Sequence, residues 1–506
     1  MKQIVTGNEI KEIEKYVIGR IGRPSLVLME RAALSISEKI LMQFTVRDKI
    51  CVVCGSGNNG ADGLAIARQL LEHKRNVCVV IVGDSGKFSA EMKVQLEILH
   101  QLGVTAKESI PAEPFDCFVD AIFGVGLTRE ITDKRIIKAI ETMNLSDAYI
   151  YSVDVPTGIH ADLGKVMGCA VKANETVTFS ANKVGLCLYP GKTYAGKVYV
   201  KNIGIDVMCN EDIKIGHYML EKEDCVRILE RNENGNKGTF GKVLVIAGNE
   251  QISGACVLCA KAVLKSGAGM VKVLSEDKTL DVIRNVLPEA MTGSLDDAVT
   301  MKQEIAAAIC WADSVVVGPG LGTDEKAYKK LKHVLTDFPT DKVLVLDADA
   351  INLIAQNDEL NELTKKVNKV IYTPHMMELA RLLHMQVDSL PEKLDEIMKQ
   401  ITEESKAVYV CKDSVTRCYY GKMPVYINCI GNSGMATAGS GDVLAGIIGA
   451  LTARKGTDIF EGVTASVFLH SLAGDEAAYK YGKNSMTAED IINSLPDILK
   501  KMEDVS

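Results

Sequence analysis

Aromatic residues are scarce, 5% of 506 residues with a single Trp, and no apolar run approaches the roughly 20 residues that a membrane-spanning helix needs. Neither a membrane span nor a membrane partner is expected. The first 25 residues, from Met1-Lys2-Gln3-Ile4, carry charges every few positions and lack the apolar core of a secretory signal, so a cytoplasmic location is expected. An excess of positive charge is missing too. The formal net charge of -8 gives no electrostatic reason to expect a nucleic acid as partner, and any phosphate-bearing ligand must find its donors locally. No Gly-x-x-x-x-Gly-Lys-Ser/Thr loop occurs, which closes the P-loop route to phosphoryl transfer. The fourteen cysteines include two Cys-x-x-Cys pairs, Cys51/Cys54 and Cys256/Cys259, but neither has a second pair or a His at zinc spacing. With Cys78 and Cys310, they read as reduced core residues.

What is present is an ordinary globular balance, 47% hydrophobic and 25% charged. The length allows about three domains, which large α/β domains reduce to two. Apolar runs at Ile50 to Cys54, Val77 to Val82, Phe115 to Phe123, Tyr149 to Val153 and Thr176 to Phe179 alternate with segments of helical period. That alternation implies βαβ crossovers and a parallel sheet, with Asn8 to Phe44 as helices ahead of it. Charged residues then accumulate, and the boundary is placed near residues 210 to 225. A second series follows at Val243 to Ala247, Met270 to Leu274, Ser314 to Val317, Val343 to Leu346, Val370 to Tyr372 and Ala407 to Val410, which fits a large doubly wound domain.

In the first half, Gly55-Ser56-Gly57-Asn58-Asn59-Gly60-Ala61-Asp62-Gly63 follows the first strand and satisfies Gly-x-Gly-x-x-Gly, and Asp84 ends the next strand. A dehydrogenase loop with Asp84 on a ribose is one reading. The side-chain oxygens of Asn58, Asn59 and Asp62 favour a second, in which something besides phosphate is held. Asp120 and Asp154 stand at two further strand ends, where ligands of open α/β sheets collect. Each Asp alone reads equally well as a helix cap or turn former. The oxygens of Asn59, Asp120 and Thr157, free of sulfur and imidazole, suit a hard cation.

In the second half, Gly431 to Gly446 places several glycines and Asp442 just before an apolar helix. Freed amides and the helix dipole make an anion hole there, with a tightly packed helix start as the alternative. Gly318-Pro319-Gly320-Leu321-Gly322, Leu346-Asp347-Ala348-Asp349-Ala350 and Thr373-Pro374-His375 lie at further strand ends. His375 alone reads as a structural histidine.

Residues 1 to 210 resemble the N-terminal domain of the NAD(P)H-hydrate epimerases through Leu28-Met29-Glu30-Arg31, the Gly57 to Gly63 loop, the Asp120 to Gly126 turn and the Ser152 to Gly158 turn. The resemblance implies a Rossmann-like doubly wound sheet over 1–212. By it, Asn58, Asn59, Gly60, Ala61 and Asp62, then Gly124, Val125, Gly126, Leu127, Thr128, Arg129 and Glu130, and finally Asp154 contact the hydrated cofactor. Asn59, Asp120 and Thr157 are implied to hold a potassium ion, and Asp154 is the candidate base. Ala61 stands where the family usually has Gly, and Glu14 where it usually has Asp.

The second series resembles the ribokinase-like fold, and within it the nucleotide-dependent NAD(P)H-hydrate dehydratases, over 220–506. Lys237-Gly238-Thr239-Phe240-Gly241 and His470-Ser471-Leu472-Ala473-Gly474-Asp475 add to the motifs above. The resemblance implies that Ala255, Gly320, His375 and Asp442 contact the hydrate and that Lys412, Asp413, Ser414, Val415, Thr416 and Gly441 contact ADP, which is expected with magnesium. Asn236, Met376, Met377 and Asp413 depart from the family pattern. A fused pair of such domains implies epimerisation of the R and S hydrates of NADH and NADPH (NADHX and NADPHX) and dehydration of the S form at the expense of ADP, with Asp442 taking the hydroxyl proton. A homo-oligomer is expected. Two other readings stay open: a small-alcohol kinase of the ribokinase-like group, and an N-terminal binding module like the scaffold domains of mRNA-decapping proteins.

Overall fold

Short runs of Val, Ile and Cys can be buried on both sides only if helices cover both faces of the sheet they form, and both halves of the chain solve that problem in the same way. The computed structural model describes residues 1–208, 210, 212–231 and 233–503; Cys209, Glu211, Asn232 and 504–506 lie outside the described residues. The chain divides into two compact units, Lys2–His217 and Tyr218 onward with Met1, the division falling within β9 (His217–Met219).

The first unit holds a short parallel pair, β1 (Lys2–Val5) with β7 (Asn182–Lys183). Its main sheet comprises β2 (Lys49–Cys54), β3 (Asn76–Ile81), β4 (Cys117–Ala121), β5 (Tyr149–Val153), β6 (Glu175–Phe179) and β8 (Lys197–Lys201), in the spatial order β3-β2-β4-β5-β6-β8. Every neighbouring pair is parallel. Alternate residues of β2 serve opposite cores. Ile50, Val52 and Cys54 face the helices Gly7–Gly19, Ser25–Gln43 and Asn58–Glu72, while Cys51 and Val53 face Lys134–Leu145. The order reverses between β2 and β4, so the loops after those strands diverge and leave a crevice at their carboxyl ends.

The second unit repeats the device on a larger sheet of β10 (Lys242–Ile246), β11 (Met270–Ser275), β12 (Met291–Ser294), β13 (Ser314–Val317), β14 (Val343–Leu346), β15 (Val370–Tyr372) and β16 (Val408–Cys411). These run parallel in the order β12-β11-β10-β13-β14-β15-β16, and β17 (Arg417–Tyr420) and β18 (Val425–Ile427) extend the sheet antiparallel. The reversal now falls between β10 and β13. The helix Ser440–Thr452 lies on this part of the sheet, and glycine lets it approach: a Cβ on Gly449 would stand 2.5 Å from Val316 Cγ2.

Cys51, Cys54, Cys256 and Cys259 are buried and unpaired, and among the described residues no group of three or more His, Cys, Asp or Glu is arranged to hold a metal ion. Cys310 corrects the core reading. The helix Met301–Trp311 buries Met301, Ile305, Ala308 and Ile309, which turns Cys310 outward, and it is exposed. No described helix is long and apolar enough to cross a membrane.

Candidate active sites

A cavity of about 450 Å³ opens at the reversal in the first unit, bounded by the loop after β2, the turn after β4 and the helix Gly7–Gly19. Asn58, Asn59, Asp62, Gly124, Val125, Gly126, Leu127 and Asp154 line it, as does Glu14. Gly60 and Ala61 do not line it: a Cβ on Gly60 would meet Gly55 O at 2.0 Å within the loop itself, and Ala61 is wholly buried in the core. Thr128, Arg129 and Glu130 continue from the rim into solvent. Asp84 instead caps the short helical turn Ser85–Lys87, accepting from Gly86 N at 3.0 Å, which leaves the ribose reading without its acid.

Asp120 and Thr157 meet directly. The Thr157 hydroxyl donates to Asp120 Oδ1 at 2.6 Å, and Thr157 N and Ser152 Oγ donate to Oδ2, each at 2.8 Å. Burial raises the Asp120 carboxyl above its ordinary range against these bonds. Phe123 N donates to Thr157 Oγ1 at 2.9 Å, and a Cβ on the next residue, Gly124, would lie 3.0 Å from Asn59 Oδ1. The three expected cation ligands therefore surround one turn. Asn59 Nδ2 is buried with no hydrogen-bond partner.

Asp154 follows β5 in the left-handed region at φ 64°, an unusual conformation for a residue with a side chain and a common one at functional sites. Around it the acids gather. Burial, then Asp154, raise the carboxyl of Glu14 against the opposing charges of Lys183 and Lys11. Burial, with Asp154, Glu14 and Glu91, pushes Asp62 well above the carboxylate range. The motifs missed Lys11 and Glu91, which line the cavity, and Lys183, whose ammonium lies 2.5 Å from Asp154 Oδ1.

In the second unit the helix Ser440–Thr452 begins at Gly439, φ 90°. Ser440 N donates to Thr437 O and Val443 N to Gly439 O, so the amides of Gly441 and Asp442 stand between them in the first turn, where helices lack internal partners. A Cβ on Gly441 would lie 3.2 Å from Lys412 Nζ, which donates to Asp347 Oδ1 at 2.7 Å. Thr373 Oγ1 also donates to that oxygen, at 2.6 Å. Burial opposes the charge of Lys412, but Asp347, Glu378 and Asp442 prevail and raise its pKa. Burial, then Asp347, push Asp442 up to about 7, with Lys412 opposing and Asp349 and Glu378 adding to the rise.

Ala255 and Gly320 come together, since a Cβ on Gly320 would lie 3.1 Å from that of Ala255. Asp349 Oδ2 accepts from Gly322 N at 2.8 Å and steadies the same loop. His375 caps the helix Met376–Leu382, its Nδ1 accepting from Met377 N and Glu378 N at 3.2 Å while its Nε2 lies 3.3 Å from Glu378 Oε1, so the structural reading accounts for both ring nitrogens. Asp413 accepts from Ser414 N in an exposed turn, and Val415 is buried. His470, which burial lowers to about 4 and so keeps neutral, lies 3.3 Å from Ser440 Oγ and supports the turn from behind.

Fold and sites define a two-unit α/β enzyme: one unit a Rossmann-like domain with a carboxylate-lined pocket, the other a ribokinase-like domain with a glycine-rich helix start beside an acid. The family model for NAD(P)H-hydrate dehydratase matches residues 243–497, and that for the YjeF-related protein N-terminus matches 25–185. The bifunctional NAD(P)H-hydrate repair enzyme of Moorella thermoacetica is 34% identical over 526 residues, covering 99% of this chain and 97% of its own. Its counterpart in Thermofilum pendens is 32% identical over 512 residues, covering 98% and 96%. Among solved structures, a ribokinase-like superfamily protein from Enterococcus faecalis is 31% identical with a TM-score of 0.51, covering 57% of this chain and 96% of that one. The chain belongs to the family of bifunctional NAD(P)H-hydrate repair enzymes, with a YjeF-related N-terminal domain followed by an NAD(P)H-hydrate dehydratase domain.

Proposed function

We propose that the first unit interconverts the R and S hydrates of NADH and NADPH at the Asp154 pocket, and that the second dehydrates the S hydrate at Asp442 while ADP becomes AMP and phosphate. The observation that carries the reading is Asp442 in a helix first turn, with Lys412 against Gly441 and an acid strength tuned to neutrality.

The hydrated ring carbon is a carbinolamine. When Asp154 takes its hydroxyl proton, the bond to the ring nitrogen opens; closure on the other face and return of the proton give the other epimer. Open space beside Gly126 leaves room for the ring, with Asn58, Asn59 and Asp62 lining the same cavity and the exposed Thr128 to Glu130 following it. Asn59, Asp120 and Thr157 fit a potassium ion, because one carboxylate among neutral oxygens balances a single positive charge in a buried place. Potassium would supply fixed positive charge near the pocket.

In the second unit Asp442 takes the proton of the hydrate hydroxyl as that oxygen attacks the terminal phosphoryl group of ADP, and AMP departs. The lone pair of the ring nitrogen then expels inorganic phosphate, a far better leaving group than hydroxide, and the adjacent ring carbon gives up a proton to the departing phosphate as the double bond forms. Amides at Gly441 and Asp442 with Lys412 stabilise the charge in transit. Ala255, Gly320 and His375, whose Nε2 lies 3.3 Å from Glu378 Oε1, receive the hydrate, and Lys412 to Thr416 with Gly441 receive the nucleotide. Magnesium bound with the nucleotide would neutralise phosphate charge; Asp347 and Asp349, whose Oδ2 and Oδ1 take part in none of the bonds above, fit it through water.

The test is incubation with mixed hydrates, ADP, magnesium and potassium. Full recovery of the reduced-cofactor absorbance with release of inorganic phosphate is expected. A stable phosphorylated product would favour a small-alcohol kinase, and persistence of both epimers would defeat the proposal.

A further inference from the structure

β7 carries a buried cation that no catalytic step above employs. Lys183 is 1% exposed, and its ammonium donates to Asp154 Oδ1 at 2.5 Å, Thr178 Oγ1 at 2.8 Å and Phe179 O at 3.0 Å. An ammonium has three protons, so all three are committed. A cation is tolerated in such a place only when paired, and this one is paired with the acid at the pocket.

The bonds divide the two oxygens of Asp154. Oδ1 also accepts from Thr178 Oγ1 at 2.9 Å and Phe179 N at 3.3 Å, which makes three donors on one atom. Oδ2 has a different neighbourhood: it lies 3.5 Å from the point where a Cβ on Gly124 would stand, on the cavity side. Gly124 leaves that approach open.

We propose that Lys183 is a positioning residue of the epimerase: it clamps Oδ1 of Asp154, so that Oδ2 is the oxygen that exchanges the proton with the hydrate. This rests on the reading of Asp154 as the base. Lys183 also supplies positive charge to a pocket whose other ionisable groups near Asp154 are Glu14, Lys11, Asp62 and Glu91. Turning the carboxylate away would leave the ammonium with only the neutral oxygens of Thr178 and Phe179, which fixes the geometry of proton transfer without contact between lysine and substrate.

The full chain supplies its own control, because the dehydratase is assayed in the same molecule. In Lys183→Ala the epimerase kcat should fall about 100-fold with KM changed less than about threefold, and the dehydratase should be unaltered. Ethylammonium, which fits the vacated space, should restore part of that kcat in Lys183→Ala but none in Lys183→Met, where the space stays filled. A Lys183→Met enzyme with wild-type epimerase kcat, a loss shared equally by both activities, or a loss that ethylammonium does not relieve would overturn the proposal. Asp154→Asn separates the two claims: if it stays active, the reading of the base fails, whereas a dead Asp154→Asn beside a fully active Lys183→Met removes only the role of the lysine.

Discussion

Lys412 and Asp347, at the ends of β16 and β14, form a 2.7 Å ion pair whose two members pull Asp442 in opposite directions. Asp347 raises the Asp442 carboxyl and Lys412 lowers it; burial tips the balance upward to about 7. A base must be ionised to accept a proton, so dehydratase kcat/KM should rise with pH and level off above about 7. Asp347→Asn removes the repelling charge and should move that rise to lower pH. Lys412→Met removes the attracting charge and should move it to higher pH. Initial rates with pure S hydrate across the pH range give the check.

Asp442→Asn keeps the shape of the first turn and removes the proton acceptor. Dehydratase kcat should drop by about 100- to 10,000-fold, the usual worth of a general base, while nucleotide affinity changes little. Epimerase turnover in the same preparation should be untouched. Inorganic phosphate release, measured beside epimer exchange by NMR, distinguishes this from a general loss of folding.

Much of this was legible because both-sided burial writes a strand as an unbroken apolar run. Ser314–Val317, Val343–Leu346 and Val370–Tyr372 match their predicted bounds, and β2 and β10 begin one residue earlier than predicted. Lys197–Lys201 and Met291–Ser294 escaped notice. Both lie at sheet edges, half-covered, where one hydrogen-bonded neighbour suffices and polar residues are tolerated. Among the pocket acids Asp154 was legible from its strand end and Asp62 from its loop, but Glu91 was not, nor was Lys183, since a two-residue strand has no period and a single Lys in Thr176 to Leu188 marks no motif. His375 went the other way: its motif suggested a ligand contact, and both of its ring nitrogens have partners in the helix it caps.

The glycines of the helix Ser440–Thr452 sort into two kinds that substitution should tell apart. A Cβ on Gly446 would stand 2.4 Å from Cys259 O and 2.9 Å from Ala262 Cβ, so Gly446→Ala must push two packed helices apart. A loss of about 1–3 kcal/mol is expected, read as a lower Tm. A Cβ on Gly441 instead reaches only Lys412 Nζ at 3.2 Å, the far end of a flexible side chain. Gly441→Ala should leave Tm nearly unchanged and weaken ADP, seen as a higher KM for the nucleotide.

Asp120 tests the cation and the fold of the first unit together. It is fully buried and receives Thr157 Oγ1, Thr157 N and Ser152 Oγ. Asp120→Asn places an amide N–H where a carboxylate oxygen accepts, leaving a buried donor facing a donor at a cost of about 1–3 kcal/mol. It also removes the one negative charge of the proposed potassium site, so a single substitution predicts two effects of different origin. Exchange of potassium for lithium isolates the second: with the native side chain in place, epimerase activity should fall while the folded unit and the dehydratase remain intact. If lithium supports full epimerase turnover, the oxygens of Asn59, Asp120 and Thr157 serve the turn alone, and the loss in Asp120→Asn must then be explained entirely by the unfavourable hydrogen bonding.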